Sequence, residues 1–269
     1  MPELPEVETI SLQLNRALKG LAVRQVQILS PKNFIGNPKD LIGQKITGVG
    51  RRAKMILIRL ADGNCLAIHL KLTGQLIYAP EQGPNKFTRV IIEFNDGSHL
   101  YFNDLRKFGW LRLACEKELQ TEKLGPEANN EKTFSLEYFV QVLSRSRKPV
   151  KSVLLDQEKI AGIGNIYANE ALFLAGLLPS RPANSLKPQE TAKLRTAIIG
   201  VLREAIKHKG TSDRDEAYRQ ITGAKGSHQN YLWVYGRAKL GQSCRKCGGV
   251  IERIAIGGRG TFFCPRCQK

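Results

Sequence analysis

The chain has 269 residues, 42% of them hydrophobic, with 42 Lys and Arg against 24 Asp and Glu and a formal net charge of +18. That length can bury a sizeable core in about two or three domains, and the charge favours a polyanionic partner, nucleic acid first. No run is long and apolar enough to span a bilayer and no apolar signal segment opens the chain, so neither a membrane protein nor a secreted one is expected, and the six cysteines read as reduced thiols or metal ligands.

The chain opens Met1-Pro2-Glu3-Leu4-Pro5-Glu6-Val7-Glu8-Thr9. Once Met1 is removed, Pro2 presents a secondary amine with Glu3 beside it, a nucleophile next to an acid. Val7, Ile10, Leu14 and Leu18 recur at helical spacing and predict a helix over Pro5–Lys19, with Pro5 in the first turn and Gly20 as the stop. Acids in a first turn are also common for dipole reasons alone.

From Leu21 to about Leu113 short alternating runs replace the helical period. Strands are expected from Val23 to Ile28 and over Gln44–Val49, Met55–Leu60, Cys65–Leu70, Gln75–Tyr78, Val90–Phe94, His99–Phe102 and Trp110–Leu113. Turn residues at Ala61-Asp62-Gly63-Asn64 and Asn95-Asp96-Gly97 separate them. Many short strands with little helix predict a β-sandwich or barrel. Gly125–Asn130 reads as a linker, followed by helices over Leu136–Ser144, Val150–Gln157, Asn165–Leu174 and Pro188–Lys207. Gly210–Gly226 reads as mixed and loop-like, and the last thirty or so residues are rich in Cys, Gly and Arg. The fold class is therefore α+β and multidomain.

Four stretches carry chemistry. Cys244-x-x-Cys247, sixteen residues, then Cys264-x-x-Cys267 has the spacing of a four-cysteine zinc ribbon. Soft thiolates select zinc, or less often iron; the competing reading is two disulfides. Gly257-Gly258-Arg259-Gly260-Thr261 is the expected hairpin tip between the pairs, and its arginine suits either a phosphate or solvent. Gly162-Ile163-Gly164 running into a helix at Asn165 makes an anion site possible, with the basic run Arg145-Ser146-Arg147-Lys148 shortly before it. Arg51-Arg52-Ala53-Lys54 enters a strand; Lys54 there is a phosphate or catalytic lysine on a concave face and an ordinary surface residue on a solvent face. Asn103-Asp104-Leu105-Arg106-Lys107-Phe108-Gly109 offers a guanidinium and an aromatic two residues apart, as a probe of a base stack would, or simply a basic turn with a core phenylalanine.

Together the opening Met1–Thr9 and these stretches, with the His69-Leu70 turn, Ile166-Tyr167-Ala168 and Val234-Tyr235-Gly236-Arg237, resemble the formamidopyrimidine-DNA glycosylase (8-oxoguanine DNA glycosylase) family, in order over essentially the whole chain; the opening motif is the most specific of them. The resemblance implies an N-terminal helix plus β-sandwich (residues 1–125), a helix–two-turn–helix domain (131–226) and a C-terminal zinc ribbon with four cysteine ligands (235–269). It implies a monomeric base-excision repair enzyme, cytoplasmic and nucleoid-associated, that removes oxidised purines from double-stranded DNA and nicks the abasic site by β,δ-elimination. By match, Pro2 is the Schiff-base nucleophile, Glu3 the general acid, Lys54 the β-elimination lysine and Arg259 the δ-elimination arginine. His69 and Asn165 match phosphate contacts, Arg106 and Phe108 the residues that fill the gap left by a flipped nucleotide, and Arg147 a basic DNA contact. Lys225, in a recognition loop of roughly Ile221–Asn230, matches a contact to the damaged base. Cys244, Cys247, Cys264 and Cys267 hold one structural zinc.

Two positions depart from the family pattern: Leu72 stands where an intercalating methionine is usual, and Phe87 where many members have a DNA-contacting histidine. The chief rivals are an endonuclease VIII-like glycosylase for oxidised pyrimidines and a non-catalytic zinc-ribbon DNA-binding protein. The first is disfavoured by Leu4 and the Arg106/Phe108 pair, and the second leaves Pro2-Glu3 unexplained.

Overall fold

A computed structural model describes residues 1–78, 83–115, 118–119, 123–212 and 218–269. The chain forms two compact units: residues 1–122 with 206–229, and residues 123–205 with 230–269. Part of the Gly210–Gly226 stretch lies outside the described residues.

In the first unit, helix α1 spans Leu4–Leu18 and ends before Gly20, whose φ of 96° is one that an L side chain rarely adopts. Its apolar stripe of Val7, Ile10, Leu14 and Leu18 is fully buried. The predicted strands form two sheets. One has the order β1 (Val23–Ile28), β7 (Thr88–Phe94), β8 (His99–Asp104), β6 (Gly74–Ile77). The other has the order β2 (Phe34–Ile35), β9 (Trp110–Cys115), β5 (Asn64–His69), β4 (Met55–Leu60), β3 (Ile46–Arg52). One apolar core joins both sheets to α1: Val90, Ile92, Leu100 and Phe102 from the first sheet, and Val49, Ile56, Ile58, Ile68 and Leu111 from the second. Tyr218 and Ile221 also belong to it. Burying this many apolar side chains, each contributing about 1.5–3 kcal/mol, is what holds the sandwich closed.

Many element ends differ from the sequence reading by one or two residues, and in this unit two differences matter more. Strand β2 is only two residues long and pairs in parallel with β9, Phe34 opposite Leu111; two residues show no period. Strand β3 begins at Ile46 rather than Gln44 and continues through Arg52, with a register shift between Ile46 and Gly48. The turn between β3 and β4 is therefore Ala53-Lys54, with Arg52 opposite Met55.

In the second unit, helices α2 (Leu136–Ser144), α3 (Val150–Leu154), α4 (Asn165–Ala175) and α5 (Pro188–Lys207, whose last two residues count with the first unit) lie where helical periodicity put them. Ser135 caps α2 by accepting the Tyr138 N–H at 3.1 Å. Helix α3 stops short of the expected Gln157 because the chain turns at Asp156, whose carbonyl accepts from the N–H groups of Lys159 and Ile160. The hairpin β10 (Glu252–Ile256) and β11 (Arg259–Phe263) turns at Gly257-Gly258, so Arg259 is the first residue of β11 rather than part of the tip.

Candidate active site and metal centre

In the first unit, Pro2 and Glu3 lie just before α1. Both are buried; Glu3 is 2% exposed and occupies the N-cap. Glu6, one turn on, accepts the Glu3 N–H on Oε2 at 2.8 Å and the Thr211 N–H on Oε1 at 2.8 Å. The Glu3-x-x-Glu6 spacing is that of a capping box, a signal present in the sequence whose use of Glu6 the motif reading passed over.

Lys54 is buried in the β3–β4 turn, beside Ala53 at φ 52°. A non-glycine residue there costs about 1–2 kcal/mol, so the turn needs support. Arg51 supplies it: Nη1 donates to the Ala53 carbonyl at 2.8 Å while Nε donates to Glu8 on α1 at 2.6 Å.

His69 ends β5, opposite Met55 on β4 and Trp110 on β9. Its Nδ1 accepts the Lys71 N–H at 3.0 Å, which leaves the ring proton on Nε2. Burial, with Lys71 and Lys54 nearby, lowers its pKa to about 3. The ring is therefore a neutral donor at ordinary pH, in a cationic setting that suits an anion.

This depression makes stability depend on pH. An unfolded histidine protonates near 6.5 and the folded one near 3, so between those values the unfolded chain binds more protons. The His69 contribution is present above about pH 6.5 and is lost as pH falls toward 3, at up to about 1.4 kcal/mol per unit. Chemical denaturation from pH 7 to pH 4 is expected to show this slope, and His69→Gln to flatten it; an unchanged slope in that variant contradicts the assignment.

The loop after β8 is built on Asp104, fully buried. Its Oδ2 accepts the Gly109 N–H at 2.7 Å, and its Oδ1 accepts the Thr73 hydroxyl at 2.5 Å and the Arg106 N–H at 3.2 Å. A Cβ on Gly109 would stand 2.7 Å from the Phe102 ring and 3.1 Å from the His69 carbonyl, so only glycine fits. The carboxylate thus ties the turn carrying half-buried Leu72 to the loop carrying Arg106 and Phe108. Phe108 is not in the core: it is 53% exposed, with the Arg106 guanidinium 4.9 Å from its ring centre. Lys225 is exposed, and its carbonyl accepts from Gln220 at 2.8 Å.

In the second unit, Gln157 pins the glycine turn ahead of α4. Its Nε2 donates to the Ile163 carbonyl at 2.8 Å and its Oε1 accepts the Gly162 N–H at 2.9 Å. Asn165, first in α4, donates from Nδ2 to the Gly260 carbonyl at 3.0 Å. Lys151, 0% exposed, donates to the same carbonyl at 3.1 Å and to Thr261 Oγ1 at 2.8 Å. Asn169 accepts the Phe262 N–H at 2.9 Å. Glu170, wholly buried, accepts three N–H groups, from Trp233, Val234 and Tyr235, at 2.7, 3.0 and 2.8 Å. Burial pushes its carboxyl pKa up, and those three donors oppose the shift. The start of α4 and Lys151 thus fix the backbone beside Arg259, whose side chain is exposed. Arg147 is exposed in the α2–α3 loop. Lys151 lay outside the motifs, and Asn169 and Glu170, which end the Ala161–Glu170 stretch, carried no role of their own there; the one signal for Asn169 and Glu170 was polar and charged residues inside an otherwise apolar helix.

The Sγ atoms of Cys244, Cys247, Cys264 and Cys267 lie within 4.8 Å of one another, with Cys247 to Cys264 at 3.5 Å and Cys244 to Cys267 at 3.9 Å. Four zinc–sulfur bonds of about 2.3 Å in a tetrahedron space the sulfurs by about 3.8 Å, so the donor set fits that ion. The Cys244 carbonyl accepts the Gly248 N–H at 2.9 Å, closing a knuckle that Gly248 permits at φ 69°.

Three family models match: "Formamidopyrimidine-DNA glycosylase N-terminal domain" over residues 1–111, "Formamidopyrimidine-DNA glycosylase H2TH domain" over 124–216, and "Zinc finger found in FPG and IleRS" over 241–269. The formamidopyrimidine-DNA glycosylase of Streptococcus pneumoniae serotype 4 is 40% identical over 278 residues, covering 100% of this chain and 99% of that relative. That of Desulforamulus reducens is 42% identical over 281 residues, with 100% and 99% covered. The chain belongs to the formamidopyrimidine-DNA glycosylase family. Among solved structures of the family, the MutM (Fpg) protein from Thermus thermophilus matches with a TM-score of 0.91 at 40% identity, covering 99% of this chain and 98% of that one. The Lactococcus lactis Fpg in complex with abasic-site DNA matches with a TM-score of 0.92 at 34% identity, each chain covered in full at 100%. The α+β multidomain class and the FPG-type zinc finger are as the sequence implied, and the four cysteines are the centre for one structural zinc.

Proposed function

We propose that the chain excises oxidised purines, 8-oxoguanine and formamidopyrimidines, from duplex DNA and then nicks the strand. The observation that carries this reading is full-length membership of a family whose Lactococcus lactis representative has been solved with Fapy-dG-containing DNA. The +18 charge supports it from the side of affinity.

In this reading the Pro2 amine, free once Met1 is cleaved, attacks C1′ as the bond to the damaged base breaks. Glu3 protonates the ring oxygen as the sugar opens, leaving an iminium between Pro2 and C1′. A secondary amine with an unperturbed pKa of about 7.7–8.0 is in part neutral near pH 7, as a nucleophile must be. The positive end of α1 disfavours a cation there further. Lys54 takes the C2′ proton, a C2′=C3′ double bond forms, and the 3′ phosphate leaves with the C3′–O electron pair. Arg259 assists the second elimination, in which the 5′ phosphate leaves, and water then releases Pro2.

His69, Asn165 and Arg147 grip phosphates. Arg106, Phe108 and Leu72 occupy the stack vacated by the flipped nucleotide, offsetting an extrusion cost of a few kcal/mol. Lys225 contacts the damaged base. The enzyme acts as a monomer in the cytoplasm, on the nucleoid; no described helix is long and apolar enough to cross a membrane.

Single-turnover excision from duplexes carrying 8-oxoguanine or an oxidised pyrimidine tests the substrate class. Faster release of 8-oxoguanine is expected. A preference for the pyrimidine contradicts the reading and favours endonuclease VIII-like chemistry.

A further inference from the structure

We propose that Arg51, paired with Glu8, is the positioning residue that holds Lys54 in place for β-elimination, and that imine formation at Pro2 does not depend on it. The proposal rests on the roles given above to Pro2 and Lys54. Arg51 lies near the end of β3, its side chain 6% exposed. One edge of its guanidinium meets Glu8 Oε2 at 2.6 Å, and Nη1 meets the Ala53 carbonyl at 2.8 Å. Glu8 belongs to α1, the helix that starts behind Pro2 and Glu3. Ala53 is the strained residue of the two-residue turn, at φ 52°, and Lys54 is the other. The guanidinium is therefore a strut between the helix that begins at the amine and the turn that carries the lysine.

The chemistry asks for such a strut. Attack on C1′ needs only Pro2 and Glu3, which are adjacent in sequence. Removal of the C2′ proton needs a second base held at a fixed place relative to the imine, and that base comes from a turn about fifty residues further along the chain. A misplacement of about 1 Å costs on the order of 100-fold in such a step. Arginine is suited to the task because its planar fork engages a carboxylate and a carbonyl at a fixed angle, whereas a lysine ammonium is a single point on a flexible stem.

The experiment compares the full-length, zinc-loaded chain with Arg51→Gln and Glu8→Gln on an abasic-site duplex. Two rates are read in parallel: the covalent adduct trapped by borohydride in the first turnover, and strand nicking without borohydride. Trapping within about threefold of the parent, with nicking reduced on the order of 100-fold, is the expected result for both variants. Arg51→Lys keeps a charge opposite Glu8 but cannot fork to Ala53; it is expected to show the same split, and it is the variant to read if Arg51→Gln does not fold. Unchanged nicking overturns the proposal, as does an equal fall in trapping and nicking, which indicates general damage to the fold. If the parent chain itself forms no adduct, the assignment of Pro2 fails and the strut fails with it.

Discussion

Replacing Glu3 with glutamine is expected to lower excision of 8-oxoguanine by about 10²- to 10⁴-fold, the contribution of a positioned general acid. The substitution is conservative where structure is concerned. Glutamine has nearly the same volume, keeps a side-chain oxygen to accept the Glu6 N–H in the capping box, and leaves the Glu3 backbone N–H bonded to Glu6. Glu3 is buried at the N-cap, so water cannot readily stand in for the lost proton donor. Melting temperature and affinity for an uncleavable duplex should therefore change little. Nicking of a preformed abasic site should suffer less than excision, because its sugar already opens to an aldehyde without help. Full excision activity in Glu3→Gln would remove Glu3 from the mechanism.

The second large effect is expected at the metal. Among the described residues, the apolar cluster around the finger buries Phe173, Val234, Ile251 and Phe262 beside Cys244 and Cys264, with Trp233, Tyr235, Ala238 and Cys267 partly buried against it. So small a core does not order the β10–β11 hairpin by itself; structural zinc in comparable peptides contributes about 10–16 kcal/mol of binding free energy. Cys247 is exposed, so Cys247→Ser leaves no core cavity and acts through the metal alone. The variant should lose its one zinc, release the hairpin carrying Arg259, and bind abasic-site DNA at least tenfold more weakly. The first unit, with its own core of helix and two sheets, should keep its melting transition. Zinc content measured by atomic absorption and affinity by titration check this; one zinc per chain with unchanged affinity would contradict it.

Much of the fold was legible because local period and burial agree. Val7, Ile10, Leu14 and Leu18 announce α1 and are buried. Alternation locates most strands, and the cysteine spacing locates the ribbon. What was hidden depends on partners far along the chain. Asp104 matters through Thr73 and Gly109, Glu170 through residues 233–235, and Lys151 through Gly260 and Thr261. Each is a polar side chain with at least one partner dozens of residues away, at Thr73, at 233–235 or at 260–261, and its role emerges only when the fold brings that partner to it. Phe108 shows the opposite case. The plainer reading of the loop alone was a core phenylalanine, yet the ring is half exposed under a guanidinium, because Asp104 and Gly109 close the loop and leave Phe108 outside the core.

The central claim is that the amine of Pro2 forms the covalent intermediate. Borohydride trapping on an 8-oxoguanine duplex, followed by proteolysis and mass spectrometry of the adduct, tests it most directly. The account predicts one adduct, mapped to Pro2, in chains that have lost Met1, and none in chains that keep it, since Pro2 nitrogen is then an amide. An adduct on Lys54 or another lysine, or trapping that persists with Met1 in place, would contradict it.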